Sequence, residues 1–240
     1  MSLLDELRQL GYVNDSGIVT VLPNTPAFPG EGNGLLQTGL AYCIAAGETG
    51  LTKEDKARIV RLTEACKHEF YPLLWRSPYK KNPGDNEQHD DYWGWLAACY
   101  HAGHYFPGDF YKFGEDHGWI IDVRDPRGSS DLNYYFGRFL GFVPFAKMAR
   151  LAREPTVRLS VLEHLQVALA ILIRAFDIDE SDGCMRDFCL ISVARKESFI
   201  CKLASLLWYR RVRKKYGSVG AAFASYFQSE NHPVTKGNWQ

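Results

Sequence analysis

The 240 residues of this chain are 46% hydrophobic, and 28 Lys and Arg balance 28 Asp and Glu to give a formal net charge of zero. A chain of this size and composition can bury a full hydrophobic core, and we predict one domain over residues 1–240. The balanced charge excludes a general electrostatic attraction to nucleic acid or to an anionic membrane, so any such contact is local.

The N-terminal and apolar segments argue against secretion and membrane insertion. The first ten residues contain acids and no long apolar run, which predicts a short helix rather than a signal peptide. The most apolar stretch, Leu165 to Ile173, is far shorter than the roughly 20 residues that a bilayer span needs. Six cysteines without a CxxC pair are predicted to be reduced core thiols. These features indicate synthesis and folding in a cytoplasm.

The first half of the chain predicts helices joined by irregular loops. Residues 1–34 should contain the N-terminal helix and a loop rich in Pro and Gly that packs on it. Apolar residues spaced three and four apart from Leu36 onward predict the next helix. Thr52 and Asp55 match a capping box at the start of another helix.

The second half is also predicted to be helical. Trp119-Ile-Ile-Asp-Val is short enough to form a strand but has no visible partner, so we expect an extended loop. We predict a helix from Asp131 toward Arg150, weakened by its glycines and Pro144. The helix from Pro155 to Phe176 is apolar nearly all round and should be central. A further long helix is predicted from Ile191 to Tyr216.

The last of these helices ends in five cations. They are Arg210, Arg211, Arg213, Lys214 and Lys215. Cations stabilise the negative end of a helix dipole, so the cluster is first interpreted as a solvated helix end. The alternative is a local contact with phosphate or nucleic acid.

We predict neither a metal site nor a cofactor. His101 and His104 could share one helix face, but His89 lies about three turns, or roughly 18 Å, from His101. The polar segment from Asp177 matches the first ligands of a calcium loop, but Phe188 falls where the loop requires Glu. A polar turn between two helices explains this segment better.

Two polar helix starts carry the candidate chemistry. They are Glu31-Gly-Asn-Gly-Leu-Leu-Gln-Thr-Gly and Gln88-His-Asp-Asp-Tyr-Trp-Gly-Trp. Glu31 with Asp90 or Asp91 could supply the acid and the base or nucleophile of glycoside chemistry. These three are the candidate catalytic residues.

Six neighbouring side chains are candidate ligands of a substrate. Amide and imidazole groups can bind hydroxyls, and aromatic rings can stack on sugars: Asn33, Gln37, His89, Tyr92, Trp93 and Trp95. The alternative is structural. Asn33 and Asp90 then cap helices, His89 bonds a loop carbonyl, and the two tryptophans fill the core.

The two helix starts, with Thr52-Lys-Glu-Asp and Asn82-Pro-Gly-Asp, resemble a set of uncharacterised helical proteins encoded by tailed bacteriophages. The resemblance covers about residues 30–205 and brings no established activity. It implies a virion or host-interaction component that is made in the host cytoplasm and binds other protein subunits.

The pattern is also similar to the α/α toroid of glycan-processing enzymes, in which acidic and aromatic residues gather at one end. We therefore predict an all-α domain of about eight or nine helices in an incomplete toroid-like arrangement. The leading expectation is a phage-type virion or host-interaction protein with a glycan-like groove at the polar helix starts. It binds protein subunits or a glycan, but no specific nucleic acid. The alternative is a glycoside hydrolase or polysaccharide lyase, so enzymatic activity stays open.

Overall fold

The computed structural model describes residues 2–20, 22–24, 34–67, 74, 89–104, 110–121, 134–135, 140–151, 154, 156–178, 181–230 and 232–234. The regular elements of these residues are α1 (Leu3–Gln9), α2 (Gly34–Glu48), α3 (Lys53–Cys66), α4 (His89–Ala102), α5 (Phe110–Asp116), β1 (Ile120–Ile121), β2 (Tyr134–Tyr135), α6 (Phe142–Arg150), α7 (Val161–Phe176), α8 (Ser181–Glu197), α9 (Phe199–Tyr216) and α10 (Val219–Ser229). The all-α prediction is confirmed, and the described residues contain ten helices rather than eight or nine.

Several helices begin at a hydroxyl cap. Ser2, Thr52 and Ser160 each accept the backbone N–H three residues later, and the acid at that position bonds back to the cap. The predicted capping box of Thr52 and Asp55 is therefore confirmed. Each such cap contributes about 1 kcal/mol to helix stability.

A cap also corrects the predicted helix from Ile191 to Tyr216. Ser198 is extended, with φ −143° and ψ 122°, and its hydroxyl accepts from the backbone N–H of Cys201. The chain therefore forms two helices, α8 and α9, joined at Ser198. Apolar residues continue on both sides of Ser198, so apolar spacing alone missed the break.

Helix α8 is the central element of the fold. It packs against α2, α4, α6, α7, α9 and α10, whereas α7 packs mainly along α9. The prediction that the helix ending at Phe176 is central is therefore wrong. Apolar residues occupy both sides of α7, and one side faces the core whereas the other faces solvent. The toroid-like arrangement stays a prediction.

Two glycines bring α2 and α4 into backbone contact. A Cβ on Gly39 would overlap the backbone of Gly94, and a Cβ on Gly94 would lie 2.8 Å from the carbonyl oxygen of Leu36. Further along, the Cys43 thiol lies 3.9 Å from the Gly94 carbonyl oxygen. The two helices therefore cross with their backbones in contact at Gly94.

The segment between α5 and α6 differs from the prediction. Ile120 pairs with Tyr135 in a two-residue antiparallel ladder, so the expected extended loop contains a short strand. Asp131 lies outside the described residues. Helix α6 begins only at Phe142, because Gly141 takes a left-handed φ of 84° just before it.

The hydrophobic core draws on nearly every helix and contains all six cysteines. Each of them is a buried thiol that forms no disulfide bond, as predicted. Among the helices described, none is long and apolar enough to cross a membrane.

Candidate functional site

The predicted catalytic carboxylates lie where the structure describes either no residue or the helix backbone alone. Glu31 and Asn33 lie outside the described residues. His89, Asp90 and Asp91 form the first turn of α4, for which the structure describes the helix but not these side chains. Because α4 begins at His89, Asp90 lies inside the helix and is not its cap. The carboxyl separation required for glycoside chemistry stays a prediction.

Gln37 forms a structural contact. Its side chain is buried, and Nε2 donates to Oε2 of Glu230 at 2.8 Å. Since Glu230 follows the last turn of α10, this bond joins the start of α2 to the end of α10.

Tyr92 and Trp95 are fully buried. The Tyr92 ring stacks on Phe110 with centroids 5.0 Å apart, and its hydroxyl accepts from the Leu74 backbone N–H at 3.2 Å. The Trp95 indole N–H donates to the Thr63 hydroxyl at 3.0 Å. Their polar groups are satisfied inside the protein, as buried aromatic polar groups usually are.

Trp93 is also in the core, where Phe145 and Arg174 contact its ring. Phe145 stacks on the ring at 4.9 Å, and the Arg174 guanidinium lies 4.7 Å from the ring centroid. Arg174 forms an ion pair of 3.3 Å with Asp187, which also accepts from the Trp208 indole N–H. Burial raises the pKa of Asp187 to about 6 and lowers the pKa of Arg174. In this structure, these aromatic residues belong to the core and present no free face to a sugar.

A cleft elsewhere in the molecule brings together side chains that the sequence motifs did not single out. It has a volume of about 1230 Å³ and lies among α2, α8, α9 and α10, with His101 of α4 in its wall. We call it the basic cleft, because its lining includes five cations: Arg195, Lys196, Lys202, Arg210 and Arg213. Among the described residues that line it, Glu48 is the single carboxylate.

A hydrogen-bonded chain holds one wall of the basic cleft. His101 Nε2 lies 3.0 Å from the Ser192 hydroxyl oxygen, and Lys196 Nζ lies 3.3 Å from His101 Nδ1. Ser192 donates its own proton to the Cys189 carbonyl oxygen at 2.8 Å. Burial, with a smaller contribution from the Lys196 charge, lowers the pKa of His101 to about 3. The imidazole is therefore neutral near pH 7.

The partners assign the protons of this chain. Lysine can only donate, so Nδ1 of His101 accepts from Lys196, and Nε2 carries the proton that is donated to Ser192. A histidine in this tautomer cannot take the Ser192 proton, so Ser192 is not an activated nucleophile. The chain positions the Lys196 ammonium instead.

A second cation of the basic cleft is fixed by an aromatic residue. Arg195 Nη1 donates to the Tyr209 hydroxyl at 3.0 Å, and its guanidinium carbon lies 5.4 Å from the Tyr209 ring centroid. Tyr209 stands on α9, so this contact also connects α8 to α9.

The sequence contained one signal for this cleft. Lys202, Leu206, Tyr209 and Arg213 recur at spacings of three and four, which places them on one flank of α9. The predicted cluster comprised only the neighbouring cations from Arg210 to Lys215, and it left out Lys202 on the same helix face. Spacing along α9 also does not show that the last turn of α8 adds two more cations.

Large apolar side chains are exposed on a different surface. Seven lie on α7 and four on α9, and we call them the α7–α9 outer face: Val161, Leu162, Leu165, Leu169, Leu172, Ile173, Phe176, Phe199, Ile200, Leu203 and Leu206. Leu206 also lines the basic cleft, so the two surfaces meet on α9.

Comparison of the chain with protein-family models, with curated proteins and with solved structures found no match in any of the three. The fold and the two surfaces therefore rest on this chain's own residues.

Proposed function

We propose that the protein is an assembly subunit that acts by binding protein through the α7–α9 outer face. The fitting partner is a second copy of this chain, and the assembly is a phage-type particle or host-interaction complex of the kind that the sequence resemblance implies. The exposed apolar face is the observation that carries this proposal. Apolar patches of this kind on a surface mark sites of protein association.

The α7 part of the face has the spacing of a helix-pairing seam. Leu162, Leu165, Leu169, Leu172 and Phe176 alternate spacings of three and four, as the inner positions of a coiled coil do. At 3.6 residues per turn, the exposed apolar residues of α7 occupy a stripe about 120° wide. The buried residues of α7, which include Val167 and Ile171, lie on the opposite side. One side of α7 thus packs in the core and the other is available to a partner.

Helices α7 and α9 run in the same direction along this face. The Cys201 thiol lies 3.6 Å from the His164 carbonyl oxygen near their starts, and Arg211 lies 4.8 Å from the Phe176 ring centroid near their ends. The apolar residues of α9 therefore lie beside the first half of α7. The second half of α7 lies beside the α9 cations.

The area of the face suits a dimer. At about 25 cal/mol per Å², the roughly 1.5–3 kcal/mol of a fully buried side chain corresponds to about 60–120 Å², so eleven side chains that are about half exposed present on the order of 500 Å². Pairing two copies buries about 1,000 Å² before the surrounding residues are counted, which is the level that a biological interface needs.

The charges around the face favour an antiparallel pairing of two α7 helices. Arg158 precedes α7 and Asp177 follows it, and both are exposed. An antiparallel pair centred on Leu169 brings Arg158 of each copy near Asp177 of the other. A twofold arrangement repeats each favourable contact twice.

Sedimentation of Leu165→Glu/Leu169→Glu beside the wild type tests the pairing. We expect a wild-type dimer and an at least about 100-fold weaker dimer for the variant, because two carboxylates would be buried in an apolar interface. The matched control is Leu22→Glu/Leu140→Glu, which alters two exposed leucines outside the face and should leave the dimer intact. Helicity by circular dichroism should be equal in all three proteins.

Two results contradict this proposal. The first is a wild type that stays monomeric at about 100 μM, which sets association weaker than about 5 kcal/mol. The second is a monomeric wild type that floats with phosphatidylcholine vesicles through the same leucines, since the face would then bind lipid. The particle role has its own test, because the protein must co-purify with assembled particles at constant stoichiometry.

A further inference from the structure

The basic cleft concentrates positive charge without a matching number of carboxylates in the part of the chain that the structure describes. Among the described residues, none of its five cations forms an ion pair with a carboxylate. Cations that share a cleft repel one another, and an anion bound between them relieves this repulsion. This arrangement contrasts with the zero net charge of the whole chain.

Two of the cations are held in place before any ligand binds. Lys196 donates to the neutral His101, which is anchored through Ser192, and Arg195 is held by the Tyr209 hydroxyl. Holding a long side chain in one geometry reduces the entropy that is lost on binding. Lys202 is exposed on the α9 side of the cleft and faces no carboxylate contact in the described residues. The cleft thus combines fixed and adaptable positive groups.

The walls are not purely polar. Ile44, Phe188, Val219 and Phe223 also line the cleft. Ligand sites typically combine an apolar wall with a few polar groups and occupy roughly 300–1,000 Å³, so a cleft of about 1230 Å³ can accept an organic molecule with several charged groups. Arg and Lys bind phosphate oxygens through short charge-assisted hydrogen bonds.

We propose that the basic cleft binds a small molecule bearing several phosphate groups, with the phosphates on Lys196, Lys202 and Arg195 and the organic part against the apolar wall. This site is separate from the protein-binding role of the α7–α9 outer face. The five cations come from α8 and α9 and line one cleft of about 1230 Å³. A compact ligand therefore fits better than a nucleic-acid strand, which needs a groove that follows its backbone.

Isothermal titration calorimetry with inorganic tripolyphosphate tests the site directly. We expect the wild type to bind it and the affinity to fall as salt rises, because the contacts are ionic. Lys196→Gln/Lys202→Gln should weaken binding at least about tenfold, since two charge-assisted hydrogen bonds are lost. Adenosine triphosphate serves as a second probe and should bind more tightly than tripolyphosphate if its base contacts the apolar wall.

A matched control separates the cleft from general charge. Lys67→Gln/Lys112→Gln removes two exposed lysines that do not line the cleft, with the same change in net charge. Its affinity for tripolyphosphate should stay within about twofold of the wild type. If the lysine pair at the cleft reduces thermal stability, Lys202→Gln/Arg210→Gln provides a second test, because both side chains are exposed.

Three outcomes overturn the proposal: no wild-type binding of tripolyphosphate at millimolar concentration, an equal loss in the control pair, or a single-stranded DNA 20-mer that binds more than tenfold tighter and displaces tripolyphosphate. The last outcome would assign the cleft to nucleic acid. Leu165→Glu/Leu169→Glu should bind tripolyphosphate like the wild type, so failure of the dimer and failure of the cleft are distinguishable.

Discussion

The α7–α9 outer face and the basic cleft share α9 but differ in polarity and in the helices that form them. The outer face is apolar and lies along two helices, whereas the cleft is cationic and draws on five helices. The inward side of α9, with Trp208 and Val212, packs in the core. One helix therefore supports three environments. An apolar face favours a partner with a similar surface, and a cleft with fixed charges favours a ligand with defined chemistry.

The largest effect is expected from breaking the buried ion pair between Arg174 and Asp187. Asp187 lies where α7, α8 and α9 meet around Arg174 and Trp208. Arg174→Leu should reduce the free energy of unfolding by about 3–5 kcal/mol at pH 7, because it leaves a buried carboxylate without its partner. Urea unfolding measures this loss.

The pH dependence gives the same variant a sharper signature. The folded-state pKa of Asp187 is about 6, above its unfolded value, so the folded protein binds more protons between about pH 4 and pH 6. Protonation removes the buried charge, and the loss in Arg174→Leu should be smaller at pH 5 than at pH 7. An equal loss at both pH values would contradict this account.

A glycine substitution should affect the cleft side more than the outer face. Gly39→Ala places a Cβ against the Gly94 backbone, and overpacking of this kind typically costs about 1–3 kcal/mol. Because the end of α2 lines the basic cleft, tripolyphosphate affinity should also fall. Thermal unfolding and calorimetry measure the two effects.

Gly47→Ala is the matched control on the same helix. A Cβ at Gly47 meets no atom within 4 Å, so alanine should raise stability by about 0.5–1 kcal/mol through its higher helix propensity. Equal destabilisation at both glycines would show that the α2–α4 contact is not the cause.

His101 offers a test confined to the cleft. Its folded-state pKa of about 3 lies below the unfolded value near 6.5, so the unfolded chain binds more protons between these two pH values. Stability should therefore fall as pH drops through this window, by at most about 1.4 kcal/mol per pH unit. His101→Gln should flatten this dependence in urea titrations from pH 7 to pH 4. An imidazole that titrates above pH 6 in NMR spectra would contradict the lowered pKa of His101.

The smallest effect concerns the register of the dimer alone. Asp177→Arg should weaken the antiparallel pair several-fold, because the new arginine would lie near Arg158 of the second copy. Adding Arg158→Asp in the same chain should restore the affinity. Sedimentation of the single and double variants at low salt measures this coupling. Independent, additive effects would rule out the antiparallel register while leaving the apolar pairing intact.

The sequence predicted local features better than their positions in the fold. The Thr52 capping box and the buried cysteines were predictable because caps and core thiols depend on nearby residue types. The break at Ser198 was not, because a cap within a long apolar pattern competes with helix continuation and only packing decides between them. The aromatic residues after His89 fitted both a sugar platform and a core, and their burial in the structure favours the core.

The amino-acid sequence by itself determined the all-α class, the amphipathic helices and the absence of a general charge bias, since each depends on composition or on spacing along the chain. Tertiary structure decided which apolar stripe faces the core and which faces solvent, because a helix that is apolar all round contains no information about its neighbours. It also decided that Lys196 of α8 contacts His101 of α4 and that both line one cleft with Lys202 of α9. Those residues come together through helix packing, and no spacing along the chain records it.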